Sequence, residues 1–272
     1  MLQSAFFRHA AGLAIAGLFA QPVLAACEAD SGTARAALVE LYTSEGCSSC
    51  PPAEKELKKL GMVLSAASSA ASPAARRVVP LALHVDYWDS IEWRDPFAQA
   101  AFSQRQEWEV HANNHRTSYT PHFFVNGHEV QDWRADIDSN INLANGKPAP
   151  AQIRVRAEPG PGSVLKLKVD TTLLAEPDAA RGPLQLFVAI TESGITSHVK
   201  AGENSGATLN HDYVARNWIG PIAITGKNFS VNRTIATTPQ LSRGNLNIVA
   251  FVQNAQTAEV LQAVGTGTCK TL

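Results

Sequence analysis

Val39-Glu40-Leu41-Tyr42-Thr43-Ser44-Glu45-Gly46-Cys47-Ser48-Ser49-Cys50-Pro51-Pro52 carries most of what this 272-residue chain discloses about itself. From Ala37 to Thr43 the run is short and largely apolar, which predicts a buried strand. Pro51 and Pro52 suit the first turn of a helix, predicted over 52–60, because proline has no N–H to leave unpaired there and its φ is already helical. The Cys47-Ser48-Ser49-Cys50 motif therefore falls between the end of a strand and the start of a helix. Free N–H groups and the positive end of the helix dipole stabilise a thiolate at such a place. They draw a cysteine pKa from about 8.5 into the range of about 3.5–7.5. Cys47 is then the attacking sulfur, and Cys50, one turn further on, resolves the mixed disulfide. Two other chemistries use the same pair. One is a small structural disulfide. The other is a metal site in which His84, His111, His115 or His122 joins the thiolates around zinc or Cu(I).

Outward from this segment, strands are predicted over 78–87 and 123–125, the second closed by the turn pair Asn126-Gly127. Helices are predicted over 96–113, with Asp95 at the N-terminus, and over 134–143, while 65–75 is an Ala/Ser-rich connection. Strands interleaved with helices predict an α/β layer structure. Beyond Lys147-Pro148-Ala149-Pro150 the pattern changes. Ile153/Val155, Leu165/Leu167/Val169, Leu184/Leu186/Val188/Ile190 and Ile248/Ala250/Val252 alternate with period two between Gly and Pro clusters. That predicts a sandwich-like β domain over 148–272, interrupted at 202–218 by a long loop or short helix.

The strand, the C-x-x-C and the helix after it resemble the thioredoxin superfamily. More narrowly, residues 39–53 are similar to a secreted bacterial thioredoxin-like family of unassigned function. So are His84-Val85-Asp86-Tyr87-Trp88-Asp89, Trp93-Arg94-Asp95-Pro96-Phe97-Ala98, Tyr119-Thr120-Pro121, Gly202-Glu203-Asn204-Ser205-Gly206 and Leu209-Asn210-His211. The resemblance implies an α/β thioredoxin-like domain over 27–147, followed by an all-β, sandwich-like C-terminal domain. It implies a cis bond at Thr120-Pro121 opposite the dithiol, with Thr120 pairing to an extended substrate and Pro121 shaping the groove. It also implies that Glu40 is the buried acid that accepts the Cys50 proton, which makes Cys47, Cys50 and Glu40 the catalytic set. Two departures stand out. The Glu40-to-Cys47 spacing differs by one residue from that of typical thioredoxins, and the dipeptide between the cysteines is Ser48-Ser49 rather than Gly-Pro. Trp88, with Tyr87 and Trp93, either lines a substrate groove or fills the core, and Gly202-Glu203-Asn204 either covers the dithiol or forms a structured loop.

The ends of the chain speak to location. Met1 to Ala26 has the layout of a secretory signal peptide, with Arg8, an apolar run from Ala10 to Ala20, and small residues before Cys27. Cleavage near Ala25 or Ala26 would deliver a periplasmic or secreted protein. The apolar run is shorter than the roughly 20 residues of a membrane span, and no later segment qualifies, so no transmembrane segment is expected. Leu24-Ala25-Ala26-Cys27 also resembles a lipobox, in which Cys27 would carry a lipid anchor. The competing expectation pairs Cys27 with Cys269 as a structural disulfide that persists in an oxidising compartment. A formal net charge of −1 and the lack of a basic stripe argue against a nucleic-acid partner. The expected activity is thiol–disulfide exchange on exported protein thiols or disulfides, recycled by an unidentified redox partner. No cofactor or bound metal is expected, because the cysteines carry the electrons. Periplasmic copper or zinc handling and a non-catalytic thioredoxin-fold binding module are the alternatives.

Overall fold

The structure is a computed structural model that describes residues 27–67, 77–174, 182–236 and 245–269. The expected signal peptide (1–26), and positions 68–75 of the Ala/Ser-rich connection, lie outside the described residues. The chain begins β1 (Cys27–Asp30), β2 (Ala37–Thr43), α1 (Pro51–Ala67), β3 (Val78–His84), α2 (Ala100–Ala112), β4 (His122–Val125), β5 (His128–Val130) and α3 (Trp133–Asn145). It continues as strands: β6 (Ala151–Pro159), β7 (Val164–Leu173), β8 (Leu184–Glu192), β9 (Ile195–His198) and β10 (Thr208–His211). The last four are β11 (Val214–Ala223), β12 (Asn228–Ala236), β13 (Leu246–Asn254) and β14 (Val260–Gly265).

The expected fold class, an α/β thioredoxin-like domain followed by an all-β sandwich-like domain, is overturned. Fourteen strands stand against three helices among the described residues. Strands from both sides of residue 147 share one mixed eight-stranded sheet, in the order β14-β13-β8-β11-β3-β2-β4-β5. A second sheet, β1-β6-β7-β12, recruits β1 from the N-terminus by antiparallel pairing with β6. The physical reason lies in burial. All nine residues of β13 are buried, as are the last seven of β8, so both of their faces are covered and neither strand can be the outer layer of a simple sandwich. The segment 202–218, expected as a loop or short helix, instead holds β10 and the start of β11.

Strand parity sorts the sheet into two faces. Ala37, Val39 and Leu41 of β2 pack with Ala53, Leu57 and Leu60 of α1 and with Ile137 and Ile141 of α3. On that same face, Leu186, Val188 and Ile190 of β8 and Ile248, Ala250 and Val252 of β13 meet the second sheet through Ile153, Val155, Leu167 and Val169. On the opposite face Leu38, Tyr42, Leu81, Leu83, Phe187, Val249 and Phe251 pack with Phe102 and Val110 of α2. One face is thus roofed partly by α1 and α3 and partly by the four-stranded sheet, and the other by α2. A disulfide joins Cys27 on β1 to Cys269, which bridges Leu246 at the start of β13, so it ties the two sheets together across 242 residues of chain.

The β4–β5 turn docks on the β13–β14 turn. Asn126 accepts the Val260 N–H through its carbonyl and the Leu38 N–H through Oδ1. Gly127 has φ +79°, and a Cβ there would lie 1.8 Å from the Ala258 carbonyl oxygen. Gly127→Ala is therefore expected to lower the stability by about 2–3 kcal/mol, from the left-handed backbone and overpacking together. An unchanged urea midpoint would refute that close approach.

Candidate functional site

The loop from Ser44 to Cys50 leaves the C-terminal end of β2 and enters α1 through Cys50, whose carbonyl accepts the N–H groups of Ala53 (2.9 Å) and Glu54 (3.1 Å). Cys47 and Cys50 are joined as a disulfide at this helix start. Ser48 and Ser49 are exposed, but Cys47 is only 1 % exposed and Cys50 is fully buried. The cover comes from the β9–β10 hairpin. Asn204, in its connecting loop, donates from Nδ2 to the carbonyls of Glu45 (2.8 Å) and Cys47 (3.0 Å). Glu203 Oε2 accepts from Ser48 N–H (3.0 Å) and Ser48 Oγ (2.8 Å), and these bonds hold its carboxyl below the usual range. The Ser48 N–H, at the start of the helix, is thus already taken by a carboxylate, and Pro51 and Pro52 have no N–H to offer. The helix dipole and the Ser49 hydroxyl, 3.4 Å from Cys47 Sγ, remain.

Of the residues expected at the site, Trp88 and Thr120 gather with the dithiol loop. Trp88 Nε1 donates to Thr120 Oγ1 at 2.8 Å, and a Cβ on Gly46 would come within 3.3 Å of Trp88 Cβ. The Thr120–Pro121 bond is cis, and both residues are half-buried next to His122, which pairs with Tyr42 at the end of β2. Glu40 is not brought there. It shares the α2 face with Leu38 and Tyr42, and its Oε1 accepts from Arg105 Nε at 2.8 Å, whereas the dithiol opens α1 on the other face. His122 also points to the α2 face, where it meets Gln106 (3.1 Å) and Glu129 (2.9 Å) rather than the sulfurs, and burial lowers its pKa. His111 is exposed, and so is His115, which contacts Glu129. Cys27 is far from this chemistry in the fold, in the disulfide with Cys269.

Below the dithiol the structure assembles His84, read as one of the histidines that could join the thiolates around a metal, and Asp95, read as a helix N-terminus, with Glu45, Glu54 and His211, to which no role was given. His84 ends β3, and its Nδ1 donates to Asp95 Oδ2 at 2.7 Å. Asp95 does not cap α2, which starts at Ala100. Its carboxylate accepts the Glu45 and Phe97 N–H groups, each at 2.8 Å. Burial would raise the Asp95 pKa, but the charge and hydrogen bond of His84 and these backbone donors bring it below the ordinary value. His211 ends β10 between two carboxylates, with Nδ1 against Glu54 Oε2 (2.6 Å) and Nε2 against Glu45 Oε1 (3.1 Å). Burial alone would depress its pKa. The hydrogen bonds and charges of Glu45 and Glu54 overcome that and push it up to about 10. Burial likewise raises Glu45, but its bond to His211 and those to Ser197 and Trp93 leave it lowered. Phe97 packs edge-on against both histidines. Glu54 stands four residues after Cys50, one helical turn on the same face, a spacing visible in the sequence. His211 lies more than 150 residues away, and no local pattern links it to Glu54.

The His211 imidazolium carries a pH signature. Its folded pKa is raised, so its stabilising contribution is complete below about pH 6.5 and is lost as the pH climbs towards 10. The urea midpoint of the wild type should exceed that of His211→Gln by a margin that shrinks steadily over this interval. A margin constant across it would show that His211 is not held protonated.

In sequence, residues 38–253 match the family described as a protein of unknown function, DUF1223. No protein with a curated description matches. In structure, protein AGR_C_4864 from Agrobacterium tumefaciens aligns at a TM-score of 0.59 and 22% identity, over 85% of this chain and 94% of its own. HBP35 of Porphyromonas gingivalis aligns at 0.60 and 16% identity, over 86% of this chain and 76% of its own. At these identities the likeness is one of fold. The family match spans β2 through β13, with the Cys47–Cys50 pair, His84, His211 and the covering hairpin inside it, and the chain belongs to the DUF1223 family.

Proposed function

We propose that this chain is an exported thiol–disulfide oxidoreductase whose electron carrier is the Cys47/Cys50 pair. The observation that carries this reading is the position of that disulfide at the first turn of α1, where reduction leaves a thiolate at the positive end of a helix. Trp88, which lies against Gly46 just before Cys47 and donates to Thr120, supports the reading with a polar and aromatic surface on the dithiol loop. In this local arrangement, though not in its overall architecture, the chain resembles the thioredoxin superfamily. Export rests on the layout of residues 1–26, in keeping with the disulfides at Cys27 and Cys47. No helix among the described residues is long and apolar enough to cross a membrane.

In the reducing direction, the Cys47 thiolate attacks a disulfide of an exported protein. A Cys47–substrate disulfide forms, and the first substrate thiolate leaves. The Cys50 thiolate then attacks the Cys47 sulfur, closing the Cys47–Cys50 bond and expelling the second substrate thiolate. Two electrons pass from the pair to the substrate, and a redox partner restores the dithiol. Run backwards, the same steps oxidise a substrate dithiol. Cys47 is buried in the disulfide form, so exchange requires the loop carrying Glu203 and Asn204 to lift from Ser48 and Cys47.

Cys47→Ser is expected to abolish reduction of a model disulfide such as insulin, and Cys50→Ser to accumulate mixed disulfides. Equal turnover by Cys47→Ser and the wild type would remove the proposal. Replacing Glu203 and Asn204 together by alanine removes four hydrogen bonds over the pair. It should speed reduction of Cys47–Cys50 by dithiothreitol roughly tenfold, the equivalent of about 1.4 kcal/mol less closure.

A further inference from the structure

Under the disulfide, three elements deliver donors to one buried point. Glu54 comes from α1, His84 from the end of β3 and His211 from the end of β10, and a donor atom of each lies within 4.8 Å of the other two. The His84 side chain is completely buried. With Nδ1–H committed to Asp95, its Nε2 has no hydrogen-bond partner. A buried polar atom left unpaired costs about 1–3 kcal/mol, so a protein that keeps one usually has a use for it. In the neutral imidazole with the proton on Nδ1, Nε2 presents a bare lone pair.

From this convergence we infer that Glu54, His84 and His211 form a binding site for a divalent transition-series cation, with Zn2+ the best-matched ion. Two imidazoles and a carboxylate are a ligand set that zinc accepts, with a fourth position left for water or another donor. Imidazole nitrogens disfavour Ca2+ and Mg2+, which prefer all-oxygen shells. The surroundings fit as well. Each histidine has its second nitrogen held by a carboxylate, His84 Nδ1 by Asp95 and His211 Nε2 by Glu45. Carboxylates so placed orient a ligating imidazole and raise its basicity. Glu45, Glu54 and Asp95 also bring three carboxylates around the two buried imidazoles of His84 and His211. The ion would take the place of the proton that His211 Nδ1 now shares with Glu54 Oε2, so each cation bound releases that proton. Tetrahedral zinc holds its donors roughly 3.3 Å apart, so closing the site needs side-chain shifts on the order of an ångström.

No cysteine is among these ligands, and the inference does not rest on the redox reading. The test therefore uses the full mature chain with the Cys47–Cys50 disulfide intact. Calorimetric titration with Zn2+ alone should show one equivalent bound. Titration with Co2+ alone should give visible d–d bands without the near-ultraviolet sulfur-to-cobalt charge-transfer band. His84→Ala and Glu54→Gln should each abolish stoichiometric binding, with folding checked by circular dichroism. Asp95→Asn should weaken binding roughly 10–100-fold through the orientation of His84. The Co2+ spectrum of the unmodified protein decides the matter even where a variant fails to fold. Absence of stoichiometric binding by the oxidised chain, a sulfur charge-transfer band, or binding that appears only after reduction of the cysteines would each overturn the inference. Loss of insulin reduction in Cys47→Ser leaves it untouched.

Discussion

Ala82 donates its N–H to the Tyr213 carbonyl at 2.9 Å, beside the parallel pairing of Val214 with Ala82, and the two halves of the chain become one sheet along this seam between β3 and β11. The contact is short compared with the long antiparallel register of β11 on β8. It holds because both faces are clamped across it. On one face Arg105 of α2 reaches Glu40 on β2 and Gln253 on β13, with Glu109 as a further partner. Its guanidinium also lies about 5 Å from the rings of Phe187, Trp218 and Phe251, which belong to β8, β11 and β13. A buried ion pair adds little net stability over apolar packing, but removing one partner strands the other charge at a cost of about 3–5 kcal/mol. On the other face Tyr213 lies against Gly61 of α1, so closely that a Cβ there would meet its hydroxyl at 2.3 Å.

The seam positions the chemistry. Once β11 is placed beside β3, the β9–β10 hairpin that leads into it hangs over the start of α1. Its loop then reaches Ser48 and the Cys47 carbonyl, and its last residue, His211, reaches Glu54 and Glu45. The dithiol and the buried histidine–carboxylate cluster are consequently built from both halves. Glu45 belongs to both, because its carbonyl is held by Asn204 above and its carboxylate by His211 and Trp93 below.

Much of the site's local frame was legible. The apolar run before Cys47 and the two prolines after Cys50 mark a strand end and a helix start by backbone chemistry alone, and the structure has β2 and α1 there. Glu40 was not placed correctly. In a strand, one residue of difference in spacing moves a side chain to the opposite face, and the count from Cys47 back to Glu40 passes through the Ser44-Glu45-Gly46 turn, where parity is lost. The β strands of the second half were recognisable one by one from alternation. Their partners were not, because alternation records which face is apolar and not what covers it. The buried odd positions of β13, such as Val249 and Phe251, signalled two covered faces and hence a central strand.

By itself, the sequence determined the local elements around Cys47 and Cys50 and the residue types that chemistry would need. Those depend on φ preferences, side-chain periodicity and composition, which act within a few residues. Only the tertiary structure decided that the chain forms one mixed sheet with a second sheet packed on it, that Glu40 belongs to Arg105, and that His84, Glu54 and His211 meet. Those facts depend on hydrogen bonds and charge pairs between segments distant in the chain, 65 residues apart for Glu40 with Arg105 and more than a hundred for Ala82 with Tyr213 and Glu54 with His211. Nothing in the local preferences of either segment specifies the other, so the dithiol could be read from the chain while its surroundings required the fold.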